Sequence, residues 1–311
     1  VPLIYERIRH QVVERIDGMP GPLRWLLRAA VAAAGRVAVD GATGPVARLL
    51  ALLARATIRK RLMAALGGRI RALFAGGAPV SEPLFRFFEG LGVPLVEMYG
   101  MTETAGLIAL NQVDQPRRPG CAGRISSDHD VRIAEDGELL VRGPLLLSGF
   151  LEPADAEDTF TEDGFLHTGD VVRLAEDGGL FVTGRKKHLL VLSTDKKVAP
   201  EPIETAIAAA APFEGAVLIG EGRPFLSVAV FVAREELARI AARGKDAAEE
   251  LLPRARAALA AFSEHEKPKQ LLVIPGAPMD HPSLITPTLK VRREALHAFL
   301  GVAIANLYGT T

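Results

Sequence analysis

Leu95-Val96-Glu97-Met98-Tyr99-Gly100-Met101-Thr102-Glu103-Thr104-Ala105-Gly106 decides how the rest of this chain is read. The apolar run from Val93 to Met98 predicts a buried strand, and Gly100 breaks it. Around the break stand a ring (Tyr99), two hydroxyls (Thr102 and Thr104) and a carboxylate (Glu103). Loops at the carboxyl ends of parallel strands are where open α/β sheets bind ligands. There a ring can stack on a base, a hydroxyl can donate to a phosphate, and a carboxylate can hold Mg²⁺ beside it. The same residues also suit a capped helix start, with Thr102 or Thr104 as the cap.

Just upstream, Ile70 to Ala75 predicts a strand that runs into Gly76-Gly77-Ala78-Pro79-Val80-Ser81. Two glycines and a small residue leave no side chain between the backbone and a flat base. The stretch also suits a tight turn, with Ser81 as N-cap and Pro83 in the first turn of a helix ending near Gly90. Strand, helix and the strand before Tyr99 make a β-α-β unit. Earlier still, the spacing predicts helices over residues 3 to 16, Leu23 to Ala34 and about Pro45 to Leu66. In the third, Arg48, Arg55 and Arg59 share a face, with Leu49, Leu52, Leu53 and Leu62 largely elsewhere. A basic amphipathic helix of this kind is either an ordinary solvated face or a surface for an anionic membrane.

Downstream of Gly106 the pattern turns to short strands. Glu135-Asp136-Gly137 and Glu176-Asp177-Gly178-Gly179 predict hairpins, with Asp163-Gly164-Phe165-Leu166-His167-Thr168-Gly169-Asp170 between them. Asp170 could accept both hydroxyls of a ribose, or could cap the backbone of a turn. Arg185 keeps its proton and suits a sugar or phosphate edge. From Lys187 the chain predicts a small α+β domain. Its strands are Leu189 to Leu192, Gly215 to Ile219 and Leu226 to Val232. A helix opens at Pro200, and others cover Glu235 to Ala242 and Ala247 to His265. The polar loop Thr286 to Arg293 leads into a last helix, and Lys290 by itself is surface charge.

The totals narrow the classes. With 311 residues the chain can hold two domains with cores. Its 37 basic and 37 acidic side chains argue against nucleic acid as the main partner. Cys121, the single cysteine, excludes an intramolecular disulfide and a multi-cysteine zinc site. No apolar run approaches a membrane span, and Val1-Pro2 opens no signal peptide, so a cytoplasmic location is expected. The missing initiator Met makes a fragment the expectation.

In this order, the stretches resemble the AMP-forming acyl-CoA synthetases, most of all the bacterial long-chain fatty-acid CoA ligases. The pieces that carry the resemblance begin with Gly76 to Pro79, Tyr99 to Glu103, Gly137-Glu138-Leu139 through Phe150, and Asp163 through Asp170. Gly184-Arg185-Lys186-Lys187, Val198-Ala199-Pro200-Glu201 and Thr286 through Arg293 follow, and Tyr5-Glu6-Arg7-Ile8 resembles the long-chain subgroup. The resemblance implies an α/β fold. Residues 1–186 would be the C-terminal part of a large adenylating domain with a small β-rich subdomain, and 187–311 a mobile α+β lid.

It also implies roles. Gly76, Gly77, Ala78 and Pro79 would line an adenine pocket, with Tyr99 and Gly100 beside the base. Thr102 would touch the α-phosphate and Glu103 would ligate Mg²⁺. Asp170 would hold the ribose with Arg185 assisting, Lys187 would be the hinge, and Lys290 would reach the reacting oxygens. ATP would activate a fatty acid as acyl-AMP, and CoA would take the acyl group. The rivals are a ligase that loads a carrier protein and a non-catalytic nucleotide- or acyl-binding remnant. Peripheral membrane contact is a further expectation.

The sequence departs from the family's pattern in three places. No Ser/Thr/Gly-rich phosphate loop ending in Pro-Lys occurs, so an upstream segment or a partner chain is expected to supply it. The 311 residues alone are expected not to make acyl-AMP. Ser193 to Lys197 lacks the usual glycine, and His188 stands where an acidic residue is common.

Overall fold

The computed structural model describes residues 2–150, 159–286 and 291–309. Two compact units divide the chain, Val1–Thr183 and Gly184–Thr311.

The first unit opens with α1 (Pro2–Asp17), α2 (Gly21–Val39) and α3 (Pro45–Ala54). A single π-helical turn, Arg55–Arg59, then continues into α4 (Lys60–Ala65). The expected amphipathic reading of α3 needs correction. Its inward stripe is Ala51, Ala54, Ile58 and Leu62, whereas Leu49 and Leu52 are 68% and 62% exposed. Small residues here face Ala30 and Ala34 of α2 in a shared core, so the helices approach closely and Leu49 and Leu52 are left outside, while Leu50 and Leu53 pack partly buried against it. Arg55, expected on the open face, instead donates from Nε to Gly90 O at 3.0 Å.

After these helices come β1 (Leu73–Ala75), α5 (Glu82–Gly90) and β2 (Leu95–Tyr99). β1 and β2 pair in parallel, Leu73 opposite Leu95, so this is the expected β-α-β unit. Ser81 caps α5, its Oγ accepting from Leu84 N at 3.2 Å, and Leu84, Phe85, Phe87 and Phe88 carry the buried face. The sheet continues through β3 (Ala109–Leu110), β4 (Cys121–Ile125), β5 (Asp130–Ile133), β6 (Glu138–Arg142), β7 (Leu166–Leu174) and β8 (Gly179–Arg185). Strand order across it is β1-β2-β3-β4-β8-β7-β6-β5, and the pairings after β1 and β2 that have a defined register are antiparallel. Tyr99 and Met101 pack with Leu139, Val141, Val172 and Leu180. The sheet therefore curls until strands that are not neighbours in the ladder share a core.

The second unit holds β9 (Leu190–Val191), β10 (Lys197–Val198), α6 (Pro200–Ala208), β11 (Phe213–Ile219) and β12 (Ser227–Val232). It ends with α7 (Arg234–Ala242), α8 (Ala247–Ala258), β13 (Gln270–Pro275) and α9 (Arg293–Leu307). All six residues of β12 are buried, because it is the central strand between antiparallel β11 and parallel β13. Val228, Val230 and Val232 join one core with α6, α7 and α8, while Ala229 and Phe231 join another with α9. The predicted helix to His265 stops at Ala258. Beyond that end, buried Leu259 and partly buried Phe262 still pack into the same core.

Candidate active site

Parallel pairing of β1 and β2 places their carboxyl ends together. The Gly76 to Pro79 loop and the Tyr99-Gly100 break therefore leave the same end of the sheet. Gly77, Ala78 and Pro79 are exposed, and Gly76 sits half-buried against Met98. Beyond Tyr99 the chain does not start an α-helix. It makes a 3₁₀ turn, Thr102–Thr104, ended by Ala105 in the left-handed region at φ 50°. Gly106 N closes the turn by donating to Met101 O at 3.0 Å.

That turn gives the two hydroxyls different surroundings. Thr104 is fully buried, and its Oγ1 donates to Met101 O at 3.0 Å, so its role lies inside the turn. Thr102 is exposed and Glu103 partly so, with Glu103 O accepting from Leu147 N at 2.8 Å. Gly100 is required by packing: a Cβ there would lie 1.4 Å from Gly106 O.

Asp170 is brought to this place from 71 residues away. Tyr99 Oη donates to Asp170 Oδ2 at 2.7 Å, and the carboxylate is only 3% exposed. Thr168 Oγ1 accepts from Asp170 N at 3.1 Å and donates to Leu139 O at 2.7 Å. Arg185 ends β8 and Lys187 lies in the 3₁₀ turn Lys186–His188, both exposed and both in the second unit. Lys290 lies outside the described residues. His188, the anomalous residue, has Nδ1 2.6 Å from Glu201 Oε1.

Two acidic residues of this neighbourhood escaped the sequence reading. Glu97 is buried within β2, where its Oε1 accepts from Gly120 N at 3.1 Å. Burial pushes its carboxyl up to about 8, against weaker lowering by the backbone N–H groups of Gly120 and Val80. A single carboxylate inside the apolar run Val93 to Met98 was a visible signal. Glu138 is also buried, and its Oε1 accepts from Gly169 N at 2.8 Å. The local sequence shows only a hairpin turn there. Among the described residues no group of three His, Cys, Asp or Glu side chains forms a metal cage. A partly exposed carboxylate such as Glu103 does suit Mg²⁺, which is commonly shared between one or two carboxylates and substrate phosphates. Among them, too, no helix is long and apolar enough to cross a membrane.

Residues 23–151 match the family model described as AMP-binding enzyme, and residues 187–311 match its C-terminal domain. A long-chain-fatty-acid–CoA ligase of Mycobacterium bovis is 32% identical over 253 residues, 77% of this chain and 42% of its own length. A fatty-acid–CoA ligase of Mycobacterium tuberculosis is 35% identical over 259 residues, 78% of this chain and 45% of its own. This chain thus spans less than half the length of those relatives. Among solved structures, the adenylation domain of a carboxylate reductase from Mycobacterium chelonae superposes with TM-score 0.73 at 22% identity. That match covers 99% of this chain and 46% of the other. ATP-bound MatB from Rhodopseudomonas palustris gives TM-score 0.59 at 21% identity, covering 81% and 49%.

Proposed function

The chain belongs to the AMP-binding enzyme family, and from that premise we propose that it takes part in activating a long-chain fatty acid with ATP and passing the acyl group to CoA. The observation that carries the nucleotide part is the Tyr99–Asp170 hydrogen bond at the carboxyl end of β1 and β2. In this reading Gly76 to Pro79 present bare backbone to adenine, with Tyr99 and Gly100 beside the base, and Asp170 accepts the ribose hydroxyls with Arg185 assisting. Thr102 donates to the α-phosphate. Glu103 holds Mg²⁺, which offsets charge that grows on phosphate oxygens during adenylation. A carboxylate nucleophile needs no general base. Residues 187–311 act as the lid, pivoting at Lys187 and delivering Lys290 to the reacting oxygens. The name of the Mycobacterium bovis relative supports the long-chain class, and that of the Mycobacterium tuberculosis relative a fatty acid. An assay offering both CoA and a carrier-protein thiol separates this reading from its carrier-loading rival.

Asp170→Ala is expected to weaken AMP and ATP together, by roughly 2–3 kcal/mol, since both nucleotides would share the ribose contact. Calorimetric titration checks this, and unchanged AMP affinity would return Asp170 to a purely structural role.

Peripheral membrane contact belongs to the same proposal. Between residues 18 and 81 ten Arg and Lys face one acidic residue, Asp40, although the whole chain is neutral. Exposed Val46, Leu49 and Leu52 of α3 and Trp25 of α2, 72% exposed, lie in that segment. Apolar side chains among cations suit an anionic interface. Trp25 is the single tryptophan, so its emission should shift to the blue with phosphatidylglycerol vesicles and not with phosphatidylcholine. Leu49→Glu with Leu52→Glu should weaken that binding at least about tenfold. Equal response to both lipids would remove the electrostatic part of the reading.

A further inference from the structure

Asp170 stands on an irregular strand. Between β6 and β7, Glu138 pairs with Val171 and Leu140 with His167. Two steps on β6 (138 to 140) are thus matched by four on β7 (171 back to 167), so Thr168, Gly169 and Asp170 lie opposite Leu139 alone, two residues in excess. Gly169 takes φ +69°, outside the strand region, which frees its N–H from the ladder. Bulges of this kind re-aim a side chain, at the cost of backbone groups that need other partners.

Asp170 N finds Thr168 Oγ1, and Gly169 N finds Glu138. The Glu138 carboxylate is 3% exposed; Oε1 accepts from Gly169 N at 2.8 Å, and Oε2 lies 3.0 Å from His167 Nδ1. An ionised carboxylate only accepts, so with Glu138 ionised the proton of this contact would sit on Nδ1. Glu138 therefore ties the two ends of the His167 to Gly169 segment that precedes Asp170, while Thr168 Oγ1 ties its middle to Leu139 O. On the other side Tyr99 Oη meets Asp170 Oδ2. The carboxylate of Asp170 is thus fixed by the bulge, and the bulge by Glu138.

We propose that Glu138 is a positioning residue for ribose recognition: it holds the His167 to Gly169 bulge so that Asp170 faces the nucleotide hydroxyls. The proposal rests on the nucleotide reading given above and assigns a role that this reading does not contain. Removing Glu138 takes the side-chain acceptor from the half-buried Gly169 N–H and lets the bulge relax toward a regular ladder, which turns Asp170 away. Gln keeps an acceptor for Gly169 N, and His167 can switch its proton to Nε2 and accept from the amide.

The test pairs two ligands with three proteins. Wild type, Glu138→Ala and Glu138→Gln are titrated with AMP and with 2′,3′-dideoxy-AMP, which lacks the hydroxyls that Asp170 would accept. Thermal melting confirms that each protein is folded. Glu138→Ala should weaken AMP about tenfold, yet leave dideoxy-AMP within about twofold, because a misplaced acceptor matters only when donors are present. Glu138→Gln should lie near wild type with both. Equal loss for the two ligands would show a general structural role and overturn the proposal. A loss in Glu138→Gln as large as in Glu138→Ala would also overturn it, because the acceptor is then not what matters; this comparison decides the matter if the alanine variant does not fold. Failure of wild type to bind AMP removes the nucleotide reading and this proposal with it, a result distinct from equal loss in the variant.

Discussion

Gly100→Ala should cost about 4 kcal/mol or more of unfolding free energy, a size reached only by a few named mechanisms such as overpacking. The new Cβ would lie 1.4 Å from Gly106 O and 2.9 Å from Leu107 Cα, so backbone has to move. Gly106 O cannot retreat cheaply, because Gly106 N is held to Met101 O and the following residues enter β3 beside Tyr99. The change should therefore displace Thr102 and Glu103 as well. Gly77→Ala is the matched control: φ is +79° there, but no atom lies within 4 Å of the added carbon. It should cost only about 1–2 kcal/mol, the ordinary penalty of a left-handed Ala. Urea unfolding of the two variants measures the difference. Equal costs would mean that the turn after Tyr99 relaxes freely and is not the rigid frame described here.

The second large effect is a pH dependence set by Glu97. In the unfolded chain this carboxyl titrates near 4.5, and in the folded protein burial raises it to about 8. Between those values the folded protein keeps a proton that the unfolded chain has released. The stability associated with this group is complete below pH 4.5, falls as pH rises, and is lost once pH passes about 8. Each tenfold difference in proton affinity between the two states is worth about 1.4 kcal/mol, so the loss is on the order of 5 kcal/mol. Glu97→Gln, which stays neutral and keeps an acceptor for Gly120 N, should remove most of that slope and be the more stable protein at pH 9. Denaturant unfolding of both at pH 5, 7 and 9 provides the comparison. Parallel curves would show that water or a neighbouring cation reaches Glu97 and keeps it ionised at neutral pH.

These two residues also show where sequence reading stops. That a glycine follows Tyr99 is visible in the chain, but the reason lies in Gly106 O, which only the closed turn brings there. That a carboxylate interrupts an apolar run is visible too, but the N–H it accepts from belongs to Gly120, in a loop 23 residues away.

What the sequence determined by itself is local. Periodicity and caps located the helices that became α1, α2, α5 and α6, including Ser81 as the cap of α5. The turn residues of Glu135 to Gly137 and Glu176 to Gly179 located the two hairpins. The ordered motifs pointed to the family independently of the fold. These features are legible because each is settled by neighbours within a few residues, through capping, φ preference or side-chain period.

Tertiary structure decided the rest. Which face of α3 is buried was settled by close approach of small residues on α2, so Leu49 and Leu52 face out while Leu53 and Leu62 pack inward. Whether Thr102 or Thr104 is available was settled by a turn that buries one hydroxyl in its own backbone. The meeting of Tyr99 with Asp170, and the support of that meeting by Glu138, required the sheet to curl and β7 to bulge. Contacts across 71 and 31 residues exist only once many segments have packed at the same time. Their energy belongs to the assembled core, and no short stretch of the chain encodes it.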